Sequence, residues 1–220
     1  MADVDMRMML RTNLKPSETA LIVIDVQNDF CAPGGYFEKT GADLAPIDPA
    51  VDHILTVIAA AREAGVMVMF VRSVYDPVYL SAAQNERRRR LGWDIPLCRD
   101  GTWGAEFYKV APNAGEVIIT KHRYDAFFNT DLELVLRTNG IRNVALCGVA
   151  TNVCVESTAR SAFFRDFEVV VASDCCAARN LPAHEAALEN FRRHFGMVAT
   201  SAEVQDAWRA PAASKKVSAA

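Results

Sequence analysis

The sequence lacks the features that mark several specialised classes of protein. No run approaches the ~18 consecutive apolar residues of a membrane span, and charged residues interrupt positions 1–18, where a signal peptide would need an apolar core. The formal net charge is −3, with neither a basic excess that would suit nucleic acid nor an acidic block. The sequence therefore predicts a cytoplasmic protein without a nucleic-acid or membrane partner.

Cysteine and histidine are also sparse, and their spacing excludes the common metal and redox motifs. The six cysteines form no CxxC pair, which argues against a zinc ribbon or a thioredoxin-like site, and they are too few for a disulfide scaffold. We expect reduced thiols. The four histidines have no spacing typical of a metal-ligand set, so we predict no metal and no cofactor.

Short apolar runs alternate with segments of helical periodicity along most of the chain, which predicts an α/β domain with a parallel sheet covered on both faces. We predict an N-terminal arm at 1–17, one domain at 18–209 and a flexible tail at 210–220. The predicted strands are 20–24, 66–71, 116–120, 143–147, 168–172 and 197–199, and the predicted helices are 49–64, 82–91, 131–138, 152–165 and 183–195.

Residues 73–115 break this regularity, because Gly and Pro punctuate them. Long irregular excursions inside a compact domain are often binding or lid segments. The run Arg87 to Arg90 lies here. Two interpretations stay open for it: a solvated helical face or subunit contact, and a surface that attracts an anionic substrate.

Three chemically active side chains follow predicted strands. Asp25 follows the first strand, Lys121 follows the strand that starts at Glu116, and Cys154 lies shortly after the strand that ends at Cys147. Ligands bind at the carboxyl ends of strands in open α/β sheets. A carboxylate, an amine and a thiol at one rim could form a covalent site, in which a helix N-terminus and the lysine would favour the thiolate. From the residues alone, each of the three also has an ordinary structural explanation.

The surrounding motifs resemble those of the isochorismatase-like cysteine hydrolases. The resemblance covers roughly residues 17 to 208 and is carried by ALIVIDVQNDF at 20–30, the lysine segment RYDAFFNTDL at 123–132, the cysteine segment GVATNVCVEST at 148–158 and SDCCA at 173–177. It implies a three-layer, Rossmann-like α/β fold with a six-stranded parallel sheet in the order 3-2-1-4-5-6. It also implies that the chain assembles as a homodimer or homotetramer.

The resemblance also implies roles for individual residues. Asp25, Lys121 and Cys154 would be the catalytic residues, and the backbone N–H groups of Ala150 and Cys154 would form an oxyanion hole. A cis peptide bond would join Val149 to Ala150. Cys154 would attack an amide or ureide carbonyl, Asp25 would move the proton, and water would hydrolyse the resulting thioester.

Among members of this family, the sequence is most similar to ureide amidohydrolases, which include ureidoacrylate, biuret and triuret hydrolases and N-carbamoylsarcosine amidase. Nicotinamidases of the family carry metal ligands in a D-x-H motif after the second strand, and the corresponding stretch at 71–77 has no histidine. True isochorismatases do not need the cysteine, so the presence of Cys154 argues against isochorismatase activity.

Candidate substrate contacts are aromatic or polar residues near the predicted strand ends, since small-molecule pockets combine apolar walls with few polar groups. They are Gln27, Phe30, Tyr36, Arg72, Tyr75, Tyr124 and Phe128, with Trp103 and Phe127 as weaker candidates.

Three alternatives stay open. The protein could be a metal-free amidase for another small amide, such as a maleamate-like or nicotinamide-like compound. It could be a non-catalytic member of the fold. It could also be a redox-active thiol protein that uses Cys31 or the adjacent Cys175 and Cys176.

Overall fold

Six parallel strands form the centre of the molecule, in a computed structural model that describes residues 2–209. The strand order is β3-β2-β1-β4-β5-β6, which confirms the predicted topology. The tail predicted at 210–220 lies outside the described residues. The strands are β1 (Thr19–Ile24), β2 (Met67–Ser73), β3 (Val117–Lys121), β4 (Asn143–Val149), β5 (Glu168–Ala177) and β6 (Met197–Ala199).

Helices cover both faces of this sheet. They are α1 (Ala2–Asn13), α2 (Asn28–Cys31), α3 (Tyr36–Lys39), α4 (Ile47–Glu63), α5 (Ala82–Arg90), α6 (Leu132–Thr138), α7 (Glu156–Phe163), α8 (Leu181–His194) and α9 (Ser201–Trp208). None of the helices within residues 2–209 is long and apolar enough to cross a membrane.

The sheet separates two apolar cores because successive side chains of a strand point to opposite faces. On β1, Leu21 and Val23 belong to the core that includes residues of α4 and α9, whereas Ile22 and Ile24 belong to the core that includes residues of α6, α7 and α8. Every residue of β1 is buried. This explains why the strand appears in the sequence as a continuous apolar run rather than an alternating one.

Three features differ from the sequence prediction. Helices α1, α2, α3 and α9 were not predicted. The fifth strand, predicted to end at Ala172, continues to Ala177, because the register shifts past Leu146 and Cys176 then pairs with Gly148. The helix predicted from Asn152 begins instead as a wide helical turn at Thr151–Val155, and regular α-helix starts only at Glu156.

Candidate active site

Three strand ends meet at one edge of the sheet, and they place Asp25, Lys121 and Cys154 together. Lys121 is the last residue of β3 and pairs with Ser73 at the end of β2. Asp25 directly follows β1 and has a φ of 53°, a conformation that few residues other than glycine adopt and that recurs at functional sites. Its N–H donates to the carbonyl of Val71 at 2.9 Å, which holds the turn against β2.

Glycine is required at the point where β4 approaches β1. Gly148 pairs with Ile24 and has a φ of 123°. A Cβ atom at this position would lie 2.0 Å from the carbonyl oxygen of Ile24. Only glycine allows this close approach, and it brings the turn that carries Cys154 beside the turn that carries Asp25.

The ammonium group of Lys121 lies between the other two side chains. Its Nζ atom is 2.7 Å from Oδ2 of Asp25 and 3.4 Å from Sγ of Cys154. Nζ also donates to the carbonyl of Arg123 at 3.0 Å. Asp25 and Lys121 are wholly inaccessible, whereas Cys154 retains 5% exposure. The thiol is therefore the member of the group that faces outward.

Ser73 links the carboxylate to the ammonium. Lys121 donates to Oγ of Ser73 at 2.9 Å, and that hydroxyl in turn donates to Oδ1 of Asp25 at 3.1 Å. Oδ2 of Asp25 is close to Nζ but outside good hydrogen-bond geometry, and within the described residues it has no other partner. The charges of Lys121 and Asp25 therefore attract each other, while a lone pair of Oδ2 stays available to accept a proton.

The electrostatics of the group keep the lysine charged and the thiol protonated. Burial alone would lower the pKa of Lys121, but the charges of Asp25 and Cys154 outweigh it and raise that pKa. Burial raises the pKa of the Cys154 thiol; the charge of Lys121 opposes this shift, and the charge of Asp25 adds to it. The charge of Lys121 therefore favours the thiolate, as expected from the sequence, but in the free site burial outweighs it.

The wide turn that carries Cys154 begins after a cis peptide bond between Val149 and Ala150, at the bond that the family resemblance implies. The N–H groups of Val153 and Val155 both donate to the carbonyl of Ala150, at 3.0 and 3.2 Å. Such wide turns within helices occur frequently at functional sites.

A cavity of about 470 Å³ opens outward from Cys154. Four of the predicted contact residues line it: Phe30, Tyr36, Tyr75 and Tyr124. Leu80, Gln84, Trp93 and Leu97 also line it, so the irregular segment 73–115 supplies a substantial part of the cavity wall.

The other predicted contact residues lie elsewhere. Gln27 is fully buried, and its amide bonds with the backbone of Ser73 and Ala105. Arg72 pairs with Asp100 at 3.3 Å, on the face of β2 opposite to Ser73. Phe128 is 50% exposed, outside the cavity.

The two weaker candidates are also outside the cavity. Trp103 is half exposed, and Phe127 packs in the core beside Phe167.

The cavity is basic, which agrees with one of the two interpretations that the sequence left open for the arginine run. Arg87, Arg88 and Arg179 line it, and none of the described residues that line it is acidic. The arginine run at 87–90 carried the signal for two of these residues, but Arg179 is an isolated arginine after β5 and nothing in its local sequence distinguishes it.

The histidines and the cysteines other than Cys154 do not line the cavity. His184 contacts Thr151, with 2.9 Å between Nδ1 and Oγ1. Within residues 2–209, no group of three or more His, Cys, Asp and Glu residues is arranged to hold a metal ion. Cys175 and Cys176 belong to the cores on opposite faces of the sheet, so their thiols point apart.

Comparison with known proteins gives concordant matches. The family model described as "Isochorismatase domain" matches residues 19–203. Ureidoacrylate amidohydrolase RutB from Methylobacterium radiotolerans is 36% identical over 212 residues, which cover 90% of this chain and 82% of the relative.

Solved structures of two hydrolases are also similar to this chain. A cysteine hydrolase from Pseudomonas syringae pv. phaseolicola 1448A superposes with a TM-score of 0.78 and 29% identity, covering 89% of this chain and 94% of the other. N-carbamoylsarcosine amidase from Thermoplasma acidophilum superposes with a TM-score of 0.68 and 29% identity, covering 84% and 96%.

Proposed function

The chain belongs to the isochorismatase family and is an enzyme of the amidohydrolase class, and on that premise we propose that it is a cysteine-dependent amidohydrolase of small linear ureides. It cleaves a C–N bond of a terminal carbamoyl group and releases ammonia. The observation that carries this proposal is the outward-facing thiol of Cys154, 3.4 Å from an ammonium group that is itself 2.7 Å from a buried carboxylate.

Acylation begins with a proton transfer. The Cys154 thiol is protonated in the free site, and Oδ2 of Asp25 has a lone pair free to accept its proton as the sulfur attacks the carbonyl carbon. Lys121 stays charged beside both groups and stabilises the negative charge that passes between them. A buried lysine suits this role because it changes the field at both atoms without exchanging protons itself.

The tetrahedral intermediate then collapses. We assign its oxyanion to the backbone N–H groups of Ala150 and Cys154, since donors fixed at a turn need no reorganisation during the reaction. The proton held by Asp25 goes to the departing nitrogen, ammonia leaves, and a thioester to Cys154 remains. Asp25 then takes a proton from water as the water oxygen attacks the carbonyl of this thioester, which for a ureide is a thiocarbamate. The C–S bond breaks, Asp25 returns the proton to the sulfur and so restores the thiol, and the carbamic acid leaves as the second product.

The choice of ureides as the substrate class is supported by the names of the relatives and by the cavity. The matched relative is named for ureidoacrylate and the matched structure for N-carbamoylsarcosine, and both compounds carry a terminal carbamoyl group. The cavity volume of about 470 Å³ suits a small molecule.

Ammonia release from a panel of ureides and amides tests the proposal. The panel contains ureidoacrylate, biuret, triuret, N-carbamoylsarcosine and nicotinamide, each assayed with and without a chelator. We expect chelator-resistant release from at least one ureide. Cys154→Ser should reduce kcat by roughly 10⁴-fold or more, because removing a covalent nucleophile costs an enzyme up to about 10⁶ in rate.

Cys147→Ser is the matched control. Cys147 is fully buried, and its thiol contacts the carbonyl of Ile22 at 3.8 Å and does not line the cavity. This variant should keep its activity. Ammonia release that survives in Cys154→Ser would rule out the covalent mechanism, and a response only to nicotinamide would favour the alternative of a different small amide.

Three expectations from the sequence stay predictions. These are a cytoplasmic location, assembly as a homo-oligomer (dimer or tetramer), and the division into an arm at 1–17, a domain at 18–209 and a flexible tail. The structure adds that most of the arm is helical, since α1 spans Ala2–Asn13. Leu10 of this helix and Leu14, which directly follows it, are buried in the apolar core.

A further inference from the structure

Within residues 2–209, the basic residues of the cavity form no ion pairs with acidic side chains. The formal charge of the protein is −3, yet the described residues that line the space in front of Cys154 include three arginines and no aspartate or glutamate. Behind them, the charges of Asp25 and Lys121 offset each other at 2.7 Å. The cavity is thus a local positive region in a protein of net negative charge.

The three arginines bond to neutral groups instead. Arg88 donates to the carbonyls of Trp93 and Ile95, and Arg179 donates to Thr40 while its guanidinium lies 4.6 Å from the centre of the Trp93 ring. Among the described residues, neither forms an ion pair; both side chains are therefore anchored, and their charge is uncompensated.

Among the described residues, the side chain of Arg87 makes fewer hydrogen bonds than the side chains of Arg88 and Arg179. It projects from α5 at the exposed rim, donates to the hydroxyl of Tyr124 at 3.1 Å, and lies 5.5 Å from the centre of the Trp93 ring. The stack on Trp93 orients the guanidinium, and the remaining donors can form the two parallel bonds that a carboxylate accepts.

From this arrangement we infer that the substrate is a carbamoyl compound whose other end carries a carboxylate, bound by Arg87 and Tyr124 in the positive field of Arg88 and Arg179. This inference rests on the proposed function and narrows it: N-carbamoyl acids such as ureidoacrylate and N-carbamoylsarcosine are substrates, whereas biuret and triuret, which are neutral, are poor ones. It also decides between the two interpretations of the arginine run, since Arg87 and Arg88 face the cavity while Arg89 pairs with Glu86 on the surface.

The test compares one ureide with and without its charge. Ammonia release is measured for ureidoacrylate and for its methyl ester, with wild-type enzyme, Arg87→Gln and Arg89→Gln. We expect the wild type to prefer the acid by at least about tenfold in kcat/KM, because the carboxylate accepts charge-assisted hydrogen bonds from Arg87 that the uncharged ester cannot accept with the same strength.

In Arg87→Gln, KM for ureidoacrylate should rise about tenfold with little change in kcat, while the values for the methyl ester change less than twofold. Arg89→Gln makes the same change of charge two residues away, outside the cavity, and should behave as wild type. Equal effects of Arg87→Gln on acid and ester, or equal hydrolysis of acid, ester and biuret by the wild type, would overturn the inference.

A binding measurement separates this inference from the proposed function. Titration calorimetry with Cys154→Ser, alone and combined with Arg87→Gln, gives the Kd of ureidoacrylate and of its ester without turnover. Tighter binding of the acid that is lost in the double variant supports the carboxylate site even if the wild type releases no ammonia, a result that would refute only the proposed reaction. Equal Kd values for acid and ester would refute the carboxylate site even if the reaction is confirmed.

Discussion

Ser73 is the residue that joins the charged pair beneath the thiol, and it is completely buried. It accepts from Lys121 and donates to Asp25, so it fixes which carboxylate oxygen is occupied and which is free. Its neighbour Tyr75 reaches the same hydroxyl at 3.5 Å. In this protein, the stretch that provides metal ligands in nicotinamidases thus contributes a hydroxyl contact to the Asp25–Lys121 pair.

Replacing Ser73 with alanine should affect the chemical step more than substrate binding. The substitution leaves Oδ1 of Asp25 without its donor and Lys121 with one acceptor fewer, so we expect kcat to fall about 10–100-fold while KM changes less than twofold. The free energy of unfolding should fall by about 1–3 kcal/mol, the cost of leaving buried polar groups unpaired. Steady-state kinetics and urea unfolding measure the two effects.

Ser161→Ala provides the matched control for this prediction. Ser161 is also buried and donates to a carboxylate, Oδ2 of Asp125, at 2.8 Å, but it lies on α7 outside the cavity. It should lose comparable stability and keep its kcat. A similar loss of kcat in both variants would assign Ser73 a general structural role rather than a positioning one.

For individual residues, the sequence predicts which side chains lie at the ends of strands better than it predicts the direction in which each side chain points. Asp25, Lys121 and Cys154 could be placed together because parallel strands end at one edge. Ser73 carried the same signal, a polar residue that ends a buried strand, and it was overlooked. Arg72 was chosen instead, although adjacent strand residues face opposite ways.

The segment after β1 anchors the long excursion that builds the cavity wall. Gln27 bonds with both the N–H and the carbonyl of Ser73 and with the carbonyl of Ala105, at 2.7–3.0 Å. The next two residues continue the pattern: Asn28 donates to the carbonyl of Trp103, and Asp29 accepts from the N–H of Cys98. Consecutive polar residues therefore attach the irregular segment to the sheet.

Gln27→Ala should loosen this attachment. The loss of three buried hydrogen bonds should lower the free energy of unfolding by about 2–4 kcal/mol, since each contributes about 1 kcal/mol and the backbone groups left behind are unpaired. The loss should also increase proteolytic cleavage within residues 92–105. Urea unfolding and limited proteolysis with mapping of the cut sites measure both effects.

The control for this element is Gln205→Ala. Gln205 is partly buried on α9 and makes a single hydrogen bond, to Thr56 at 3.2 Å. Its replacement should change stability by less than about 0.5 kcal/mol. If Gln27→Ala were as stable and as resistant to protease as this control, the excursion would be held by its apolar contacts instead.

Elements of the sheet were predictable because burial on both faces imposes long apolar runs, and the helices that alternate with them follow a 3.6-residue period. Helix α9 had a usable signal that was missed: Thr200 and Glu203 form a capping box. The extension of β5 had none, since it depends on a register shift against β4. Pairing between strands is a tertiary property that local sequence does not encode.

Across the whole molecule, all six cysteines are buried and reduced. Burial raises the pKa of each thiol, from 9.0 to about 12 for Cys176 and well above the ordinary value for Cys98 and Cys147. The pKa values of Cys31, Cys154 and Cys175 shift in the same direction for the same reason. The thiols thus form a set of groups that ionise far more easily in the unfolded chain than in the native one.

This difference makes stability depend on pH in the alkaline range. Below pH 8 both states keep the thiols protonated, so their full contribution is present. As pH rises through about 9, the unfolded chain loses protons that the native protein retains. This ionisation lowers the free energy of the unfolded state relative to the native state. Each group with a raised native pKa therefore contributes stability that declines above its unfolded pKa.

We expect the free energy of unfolding to fall by about 1.4 kcal/mol per buried thiol between pH 8 and pH 10, roughly 8 kcal/mol for the set. Such a loss is comparable to the whole free energy of unfolding of a typical domain, so the protein should unfold near pH 10. Urea unfolding at pH 8, 9 and 10, monitored by circular dichroism, gives the change in the free energy of unfolding with pH. Cys147→Ser removes one group and should reduce the total decline by about one sixth. A free energy of unfolding that stays constant up to pH 10 would mean that the buried thiols ionise as easily in the native protein as in the unfolded chain, and that burial does not control their chemistry at Cys154 either.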